Sequence, residues 1–331
     1  MNKSLYSSFL SLFKGLSPYY KIRKTRFFLF GHGVTDKKKS NSIIQNMHIE
    51  LQHLIYIIDL WERMGFVFLS MEESMEVVLH NKKVDRPWIH FTFDDGYKSN
   101  LTILYPYLKS KNIPFTIFLS ARNMVEQRRF DRYKILCSLT HTRLERQRML
   151  LLGPYRHQLS KATSRDAETQ MMVHLFKFFS VPEKETFLEK VESLLTCDEW
   201  KHYNQVYESE EVLSLNDIAI LSKDPRVHFG SHGYNHYILS TLNDEQINFE
   251  QTHSREIIQQ LTGKIPQTYC YPNGRVGIDI PGHIDMLSRQ NHYTVSFTTQ
   301  RKKYMPGMNP YLIPRVPVSY HYMPKLFLDI L

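Results

Sequence analysis

The sequence predicts an α/β protein whose parallel strands close into a barrel, and three observations support this prediction. Short apolar, β-rich runs alternate with segments of helical periodicity along most of the chain. Eight such runs occur, which is enough to form a barrel. Several of the segments between them begin with the capping signals of helices. A sizeable core is available, because 42% of the 331 residues are hydrophobic.

The predicted elements follow in chain order. Strands are expected at residues 27–30, 66–69, 88–93, 114–119, 227–229, 268–271, 293–297 and 312–318. Helix starts are recognised by a polar residue whose side chain accepts a hydrogen bond from the backbone N–H three residues later. They are predicted at Ser70 with Glu73, at Ser214 with Asp217, and at Asn243, with Gly263 ending the last helix.

The alternation stops between residues 121 and 207, where the chain is polar and basic. Helix-like runs at 143–152 and 168–179 indicate a helical insertion. We therefore divide the chain into a basic N-terminal segment, residues 1–25, and a barrel over residues 26–331 that contains the insertion.

Composition indicates a reduced, cytoplasmic setting. The three cysteines, Cys137, Cys197 and Cys270, have neither the paired spacing of a zinc ribbon nor the density of a disulfide framework. No apolar run reaches the length of about 18 residues needed for a membrane span. Residues 4–13 are interrupted by serines and lack a small-residue cleavage site, so a signal peptide is not expected.

Positive charge is concentrated near the N-terminus. The net charge is +9, and the first 35 residues contain six Lys or Arg and no Asp or Glu. No zinc finger, glycine-rich RNA-binding signature or basic zipper is present, so nucleic acid is not an expected partner. The spacing of five apolar residues would place them on one face of a possible helix: Leu5, Phe9, Leu12, Phe13 and Leu16. This segment is interpreted either as a peripheral contact with an anionic membrane or as a helix packed on the barrel.

Two adjacent carboxylates end one predicted strand. The run from Trp88 leads into Asp94, Asp95 and Gly96. The carboxyl ends of parallel barrel strands form the active-site face, so one acid is suited to bind a metal and the other to transfer protons. A polar turn is the alternative interpretation.

Two histidines follow another apolar strand four residues apart. His232 and His236 lie in a glycine-containing segment, and imidazoles at this spacing can bind one cation. With an acid from the first strand they supply two nitrogens and one oxygen, which is the open ligand set of a catalytic zinc site.

These motifs resemble the polysaccharide deacetylase family, also called the NodB-homology domain. Residues 92–96 (TFDDG) and 230–236 (GSHGYNH) are similar to its first two motifs, and residues 269–274 (YCYPNG) are similar to its third. Residues 295–299 and 312–316 resemble its closing strands. The resemblance extends from about residue 26 to 318, apart from the insertion, and implies a distorted barrel of about seven or eight strands.

The resemblance also assigns roles. It implies a divalent metal, most often zinc, held by Asp95, His232 and His236, with Asp94 as the general base. Tyr271 would contribute its backbone N–H to the oxyanion hole. Asn273 and Arg315 complete the expected substrate-binding residues.

The sequence departs from the family pattern at three places. Gly233 stands where a Ser or Thr is usual, and the arginine before the third motif is missing. Arg315 or Arg275 is expected to orient the base instead. The usual C-terminal histidine has only a loose counterpart in His321, whereas residues 28–34 resemble members that carry this histidine on the first strand. We favour His32 over His321 as the general acid.

The predicted function is the metal-dependent removal of N-acetyl groups from a sugar or glycan. The expected substrate is an N-acetylated glycan or a lipid-linked sugar in cell-surface polysaccharide or glycolipid biosynthesis. Alternatives are hydrolysis of an O-acetyl ester or a non-sugar amide at the same site, or a catalytically silent glycan-binding module.

Overall fold

The computed structural model describes residues 25–36, 43–44 and 47–318. Its main sheet has eight strands, all parallel: β1 Arg26–Gly31, β4 Val67–Phe68, β5 Trp88–Asp95, β6 Phe115–Leu119, β7 Val227–Ser231, β8 Thr268–Cys270, β9 Val295–Phe297 and β10 Val316–Pro317. A separate parallel pair consists of β2 Gly33–Thr35 and β3 His48–Glu50. Neither strand of this pair was predicted, because three residues are too few to show an alternating pattern.

The main sheet curls into the predicted barrel. Its order is β10-β1-β5-β6-β7-β8-β9, with β4 paired to β5. The segment entering β10 joins the two ends, because Ile313 bridges to Phe297 of β9 and the Val318 N–H donates to Phe30 O of β1. The last strands are shorter than predicted, since residues 312–315 make this crossing rather than a regular ladder.

Alternation along the strands separates two apolar clusters. On β1, Phe27 and Leu29 pack with the outer helices. Phe28 points to the other side, where its ring lies 5.3 Å from Trp88 and 5.0 Å from Phe297. The interior of the barrel is therefore filled by side chains, and the site must lie at its mouth.

In the described part of the chain, thirteen α-helices accompany the strands. Their bounds are α1 Leu51–Arg63, α2 Met71–His80, α3 Tyr105–Ser110, α4 Ala121–Val125, α5 Asp131–His141, α6 Glu145–Leu152, α7 Arg156–Leu159, α8 Arg165–Phe176, α9 Val181–Glu192, α10 Cys197–Val206, α11 Leu215–Leu221, α12 Asp244–Thr262 and α13 Ile284–Gln290. A π-helical turn, Asn100–Leu104, precedes α3, and 3₁₀ turns lie at Gly153–Tyr155, Glu208–Glu210 and Leu239–Thr241.

The predicted helix starts are confirmed. Ser70 and Glu73 exchange hydrogen bonds of 2.8 and 3.1 Å at the start of α2. The same reciprocal arrangement begins α11 at Ser214, and Asn243 caps α12. Gly263 ends α12 with a left-handed φ of 70°.

Helices α4 to α10 lie between β6 and β7 and form the helical region. They have a core of their own, which includes Ile135, Leu139, Met172, Phe187 and Val191. Helix α5 is central to it, because it packs against both α8 and α9. Apart from residue 25, the predicted N-terminal segment lies outside the described residues. Within those residues, no helix is both long and apolar enough to cross a bilayer.

Candidate active site

The site lies where β5 and β7 end. Both strands pair with β6, so their carboxyl ends are two strands apart on the same rim. Asp94 and Asp95 are the last residues of β5, and His232 directly follows β7. The fold thus brings together residues that are 137 positions apart in the sequence.

A local turn lets both aspartates face the site. Successive residues of a strand point to opposite sides, which would separate two neighbouring carboxylates. Asp95 has a left-handed φ of 75°, and this ends the regular strand. His236 and Asn273 have φ values of 61°. Such backbone conformations are costly for residues other than glycine and tend to occur at functional sites.

Asp95, His232 and His236 converge. The Asp95 Oδ1 atom lies 3.2 Å from His236 Nε2 and 3.5 Å from His232 Nε2. The Nδ1–H of His232 donates to Cys270 O over 2.7 Å, so its Nε2 presents a lone pair to Asp95. Burial lowers the pKa of His232 to about 4, which keeps the ring neutral at pH 7. The three side chains offer two nitrogens and one oxygen within 4.8 Å of one another.

A second trio, Asp94, His232 and Cys270, is equally compact. Arg315 rules it out as a cation site, because its guanidinium nitrogens lie 2.7 and 2.8 Å from the two oxygens of Asp94 and 2.8 Å from Cys270 Sγ. A metal there would meet a fixed positive charge. The first trio is therefore the candidate metal site.

Asp94 is held from inside the barrel. Arg315, which is fully buried, pairs with both of its oxygens and also donates to Thr92 Oγ1 and Thr298 O. Burial alone would raise the pKa of Asp94, but the Arg315 charge outweighs it and lowers the pKa below its usual value. Arg315 thus fixes the direction of Asp94, the predicted base. Arg275 instead pairs with Asp279.

Asp95 forms an ion pair with a different arginine. Arg132 of α5 donates to Asp95 Oδ2 and, over 2.7 Å, to the Tyr97 hydroxyl. Burial opposes ionisation of Asp95, yet Arg132 and His236 hold its pKa well below the usual range. Sequence reasoning missed Arg132, because it lies in a basic stretch that offers no local signal for a site.

The histidine loop is held by Glu250 of α12. Its carboxylate accepts from Asn235 N over 2.8 Å and from Asn235 Nδ2 over 2.6 Å. Gly233 has a φ of 79°, and a Cβ there would meet Glu250 Oε2 at 3.0 Å and the Tyr269 hydroxyl at 3.1 Å. The left-handed φ thus favours glycine at this position, and a larger side chain would also require Glu250 and Tyr269 to shift. In the sequence, a buried position for Glu250 is indicated by its place among the apolar residues on one face of the predicted helix.

His32 follows β1 at the same rim. It is half-buried, and its charge interacts with both Asp95 and Asp94. Burial lowers its pKa to about 4, although the two carboxylates act in the opposite direction. His321, the other candidate for the general acid, lies outside the described residues.

Three expected substrate-binding residues differ in their placement. The Tyr271 N–H donates to Phe297 O over 3.1 Å, so it is used by the sheet and does not fit the predicted oxyanion hole. Arg315 is too deeply buried to contact a substrate and binds Asp94 instead. Asn273 lines a pocket beside His236, and its Oδ1 accepts from Lys177 Nζ over 2.7 Å.

Comparison with known families agrees with this geometry. A family model described as polysaccharide deacetylase matches residues 81–166 and 194–292, more than half of the chain. The chain belongs to the polysaccharide deacetylase family. Between its two segments the match omits residues 167–193, which lie inside the predicted insertion at 121–207. Curated proteins include no match.

Solved structures share the fold. The Streptococcus pyogenes deacetylase PplD in complex with acetate has a TM-score of 0.60 at 13% identity, over 92% of this chain and 97% of PplD. IcaB from Ammonifex degensii has a TM-score of 0.60 at 15% identity, over 93% and 98%. A de-N-acetylase from Aggregatibacter actinomycetemcomitans has a TM-score of 0.56 at 12% identity, over 92% and 99%. The deacetylase described here is a hydrolase of the amide bonds of acetylated sugars, as its family membership indicates.

Proposed function

We propose that this deacetylase is metal-dependent and removes the N-acetyl group of a sugar through a cation held by Asp95, His232 and His236. The observation that carries the proposal is the convergence of the three ligand atoms around Asp95 Oδ1. That oxygen is buried and has no hydrogen-bond partner among the described residues. A buried anionic oxygen without a donor is costly, and a cation between it and the two Nε2 atoms would satisfy it.

The donor set fits zinc. Two imidazole nitrogens and one carboxylate oxygen are common ligands of catalytic zinc, which keeps a further position for water or substrate. When bound, such a cation acidifies water and polarises the acetyl carbonyl. The remaining chemistry belongs to the side chains of this chain.

Asp94 is proposed as the general base. Arg315 keeps it ionised and fixes its direction, so it can accept a proton from the attacking water. Because its pKa lies below the usual value, it is a weak base, and it depends on the acidity that the cation confers on water.

His32 is proposed as the general acid that protonates the leaving nitrogen. With a pKa of about 4 it is neutral in the free enzyme at pH 7. Negative charge that develops on the acetyl oxygen favours the imidazolium form, so His32 would take up a proton from solvent and deliver it to the leaving nitrogen, and Asp94 would afterwards release the proton of the water to solvent. Its position beside Asp94 and Asp95 supports this role over an ordinary turn residue.

Metal content and acetate release test the proposal together. His232→Ala and His236→Ala should lose bound metal and activity, because two remaining ligands rarely hold zinc. Asp94→Asn is the matched control, since it should keep the metal and lose turnover. Stoichiometric zinc in both histidine variants would refute the ligand assignment. Faster acetate release from O-acetylated than from N-acetylated sugars would favour the ester alternative.

The proposed setting is the cytoplasmic face of a membrane, where a lipid-linked glycan precursor would be the substrate. Its support is the basic, partly apolar N-terminus. We expect salt-sensitive binding to anionic vesicles that disappears when residues 1–24 are deleted. Equal sedimentation of full-length and truncated protein would contradict a membrane contact.

A further inference from the structure

A pocket beside the proposed metal site is strongly basic. It lies between the helical region and the loops that follow β7 and β8, and His236 lies in its wall. Five cationic side chains and one acidic side chain line it, and we call it the basic pocket: Arg122, Arg128, Arg132, Lys177 and Lys184, with Asp131.

The three arginines are already compensated. Arg122 pairs with Glu126 over 2.8 Å, Arg128 pairs with Asp131 over 2.5 Å, and Arg132 pairs with Asp95. They contribute shape and hydrogen-bond donors to the basic pocket, but their charges are largely balanced. Any excess of positive charge must come from the lysines.

The two lysines lack an acidic partner. Neither ammonium lies within 4 Å of a carboxylate in the part of the chain that the structure describes. Lys177 Nζ donates to Asn273 Oδ1, and Lys184 Nζ donates to Phe179 O and lies 4.9 Å from the centre of the Tyr237 ring. Lys184 is only 2% exposed. Burying an ammonium group without a counter-ion is unfavourable, so a bound anion would stabilise buried Lys184 and, to a lesser degree, half-buried Lys177.

We propose that the basic pocket binds a phosphate group carried by the acetylated sugar. The proposal rests on the deacetylase function proposed above and defines its substrate class. Phosphate suits the site better than a carboxylate, because cationic donors approach from α4, α5, α9 and the residue that follows α8, and a phosphate offers acceptors in several directions. His236 in the pocket wall places the phosphate on the same sugar unit, or on its neighbour, as the acetyl group.

Rates on matched substrates test the proposal. Acetate release is measured from an N-acetylhexosamine 1-phosphate, from the same sugar as a lipid-linked phosphodiester, and from its neutral methyl glycoside. We expect kcat/KM to be about ten- to a hundredfold higher for a phosphorylated form, as one or two charge-assisted hydrogen bonds would give. The preferred phosphorylated form identifies the source of the phosphate.

Variants locate the effect. Lys177→Met should reduce the preference for the phosphorylated over the neutral substrate about tenfold. Lys177→Arg should retain most of this preference, because the positive charge is preserved. Lys302→Met is the matched control, since Lys302 is exposed and outside the basic pocket, and it should leave the preference unchanged. Inorganic phosphate should inhibit hydrolysis of the neutral glycoside, and Lys177→Met should weaken this inhibition about tenfold.

Two failures are distinguishable. Acetate release from none of the three substrates by metal-loaded protein would contradict the proposed function. Equal kcat/KM for all three substrates, or a phosphate preference that Lys177→Met leaves unchanged, would refute phosphate binding in the basic pocket. Neither result would contradict the proposed deacetylase function.

Discussion

The barrel interior and the helical region each supply one arginine to the pair of adjacent aspartates, and they do so differently. Arg315 is fully buried and lies 4.7 Å from the Phe30 ring centre, and it occupies both oxygens of Asp94. Arg132 contacts only one oxygen of Asp95, and its side chain is 18% exposed. The arginine from the barrel thus contacts both oxygens of Asp94, whereas the arginine from the helical region leaves Asp95 Oδ1 available for a cation.

This difference suggests two kinds of ion pair. The Asp94 pair leaves no position for a second cation, although its oxygens keep lone pairs that can accept a proton. The Asp95 pair is open, and a metal at Oδ1 would share the carboxylate with Arg132. Adjacent residues of one strand are in this way suited to different tasks, proton transfer and metal binding.

The largest expected effect comes from removing either arginine. Arg315→Met should destabilise the protein by about 3–5 kcal/mol whether or not zinc is present, because Asp94 is left as a buried, unpaired charge. Arg132→Met should be destabilising mainly without zinc, since the cation can compensate Asp95. Chemical denaturation with and without zinc measures both effects. Equal stabilisation by zinc in both variants would contradict the inference that a cation compensates Asp95 but not Asp94.

Replacing the proposed general acid should come next. His32→Ala should reduce turnover by about 10² to 10⁴ with unchanged metal content, because proton transfer to the leaving nitrogen is lost. The comparison variant is His321→Ala. A larger loss from that variant would assign the general acid to the C-terminal residues.

Releasing the histidine loop should have a smaller effect. Glu250→Ala removes the acceptor of two hydrogen bonds from Asn235, so His236 loses its support. We expect zinc affinity to fall about 10- to 100-fold, as for other residues that orient a ligand. Glu250→Gln keeps one acceptor and is expected to bind zinc more tightly than Glu250→Ala. Identical zinc affinities in wild type and Glu250→Ala would show that the histidine loop keeps its conformation without Glu250.

The smallest effect concerns pH and the interior of the barrel. His90 is buried between Leu69 O and Thr116 Oγ1, and burial lowers its pKa to about 4. Because the unfolded chain takes up this proton near pH 6.5, the stability that depends on neutral His90 is present above that pH and is lost as the pH falls towards 4.

Replacing His90 should therefore flatten the acid side of the stability curve. His90→Gln in metal-free protein should reduce the slope by about 1.4 kcal/mol per pH unit, the value for one proton. The control is His141→Gln in the helical region, where the histidine is only half-buried and its pKa is less perturbed. Equal changes in slope would mean that the barrel interior and the helical region do not differ in this respect.

Sequence alone determined the features that depend on neighbouring residues. The strands of the main sheet, the caps at Ser70 and Asn243 and the acid pair at a strand end follow from short-range patterns of polarity and hydrogen bonding. The two histidines four residues apart, His232 and His236, were also visible as a possible ligand pair. These signals were enough to predict a barrel and its carboxyl-terminal rim.

Only the tertiary structure decided which side chains surround those residues. Arg315 is 221 positions from Asp94, and no local pattern distinguishes it from Arg275, which pairs elsewhere. Arg132 reaches Asp95 because α5 packs over the rim. The Tyr271 N–H is not available to an oxyanion hole, because β8 pairs with β9 and this N–H donates to the sheet. Long-range packing sets the partner of each buried charge, since ionisable groups are satisfied by whichever donors and acceptors the folded chain brings near them.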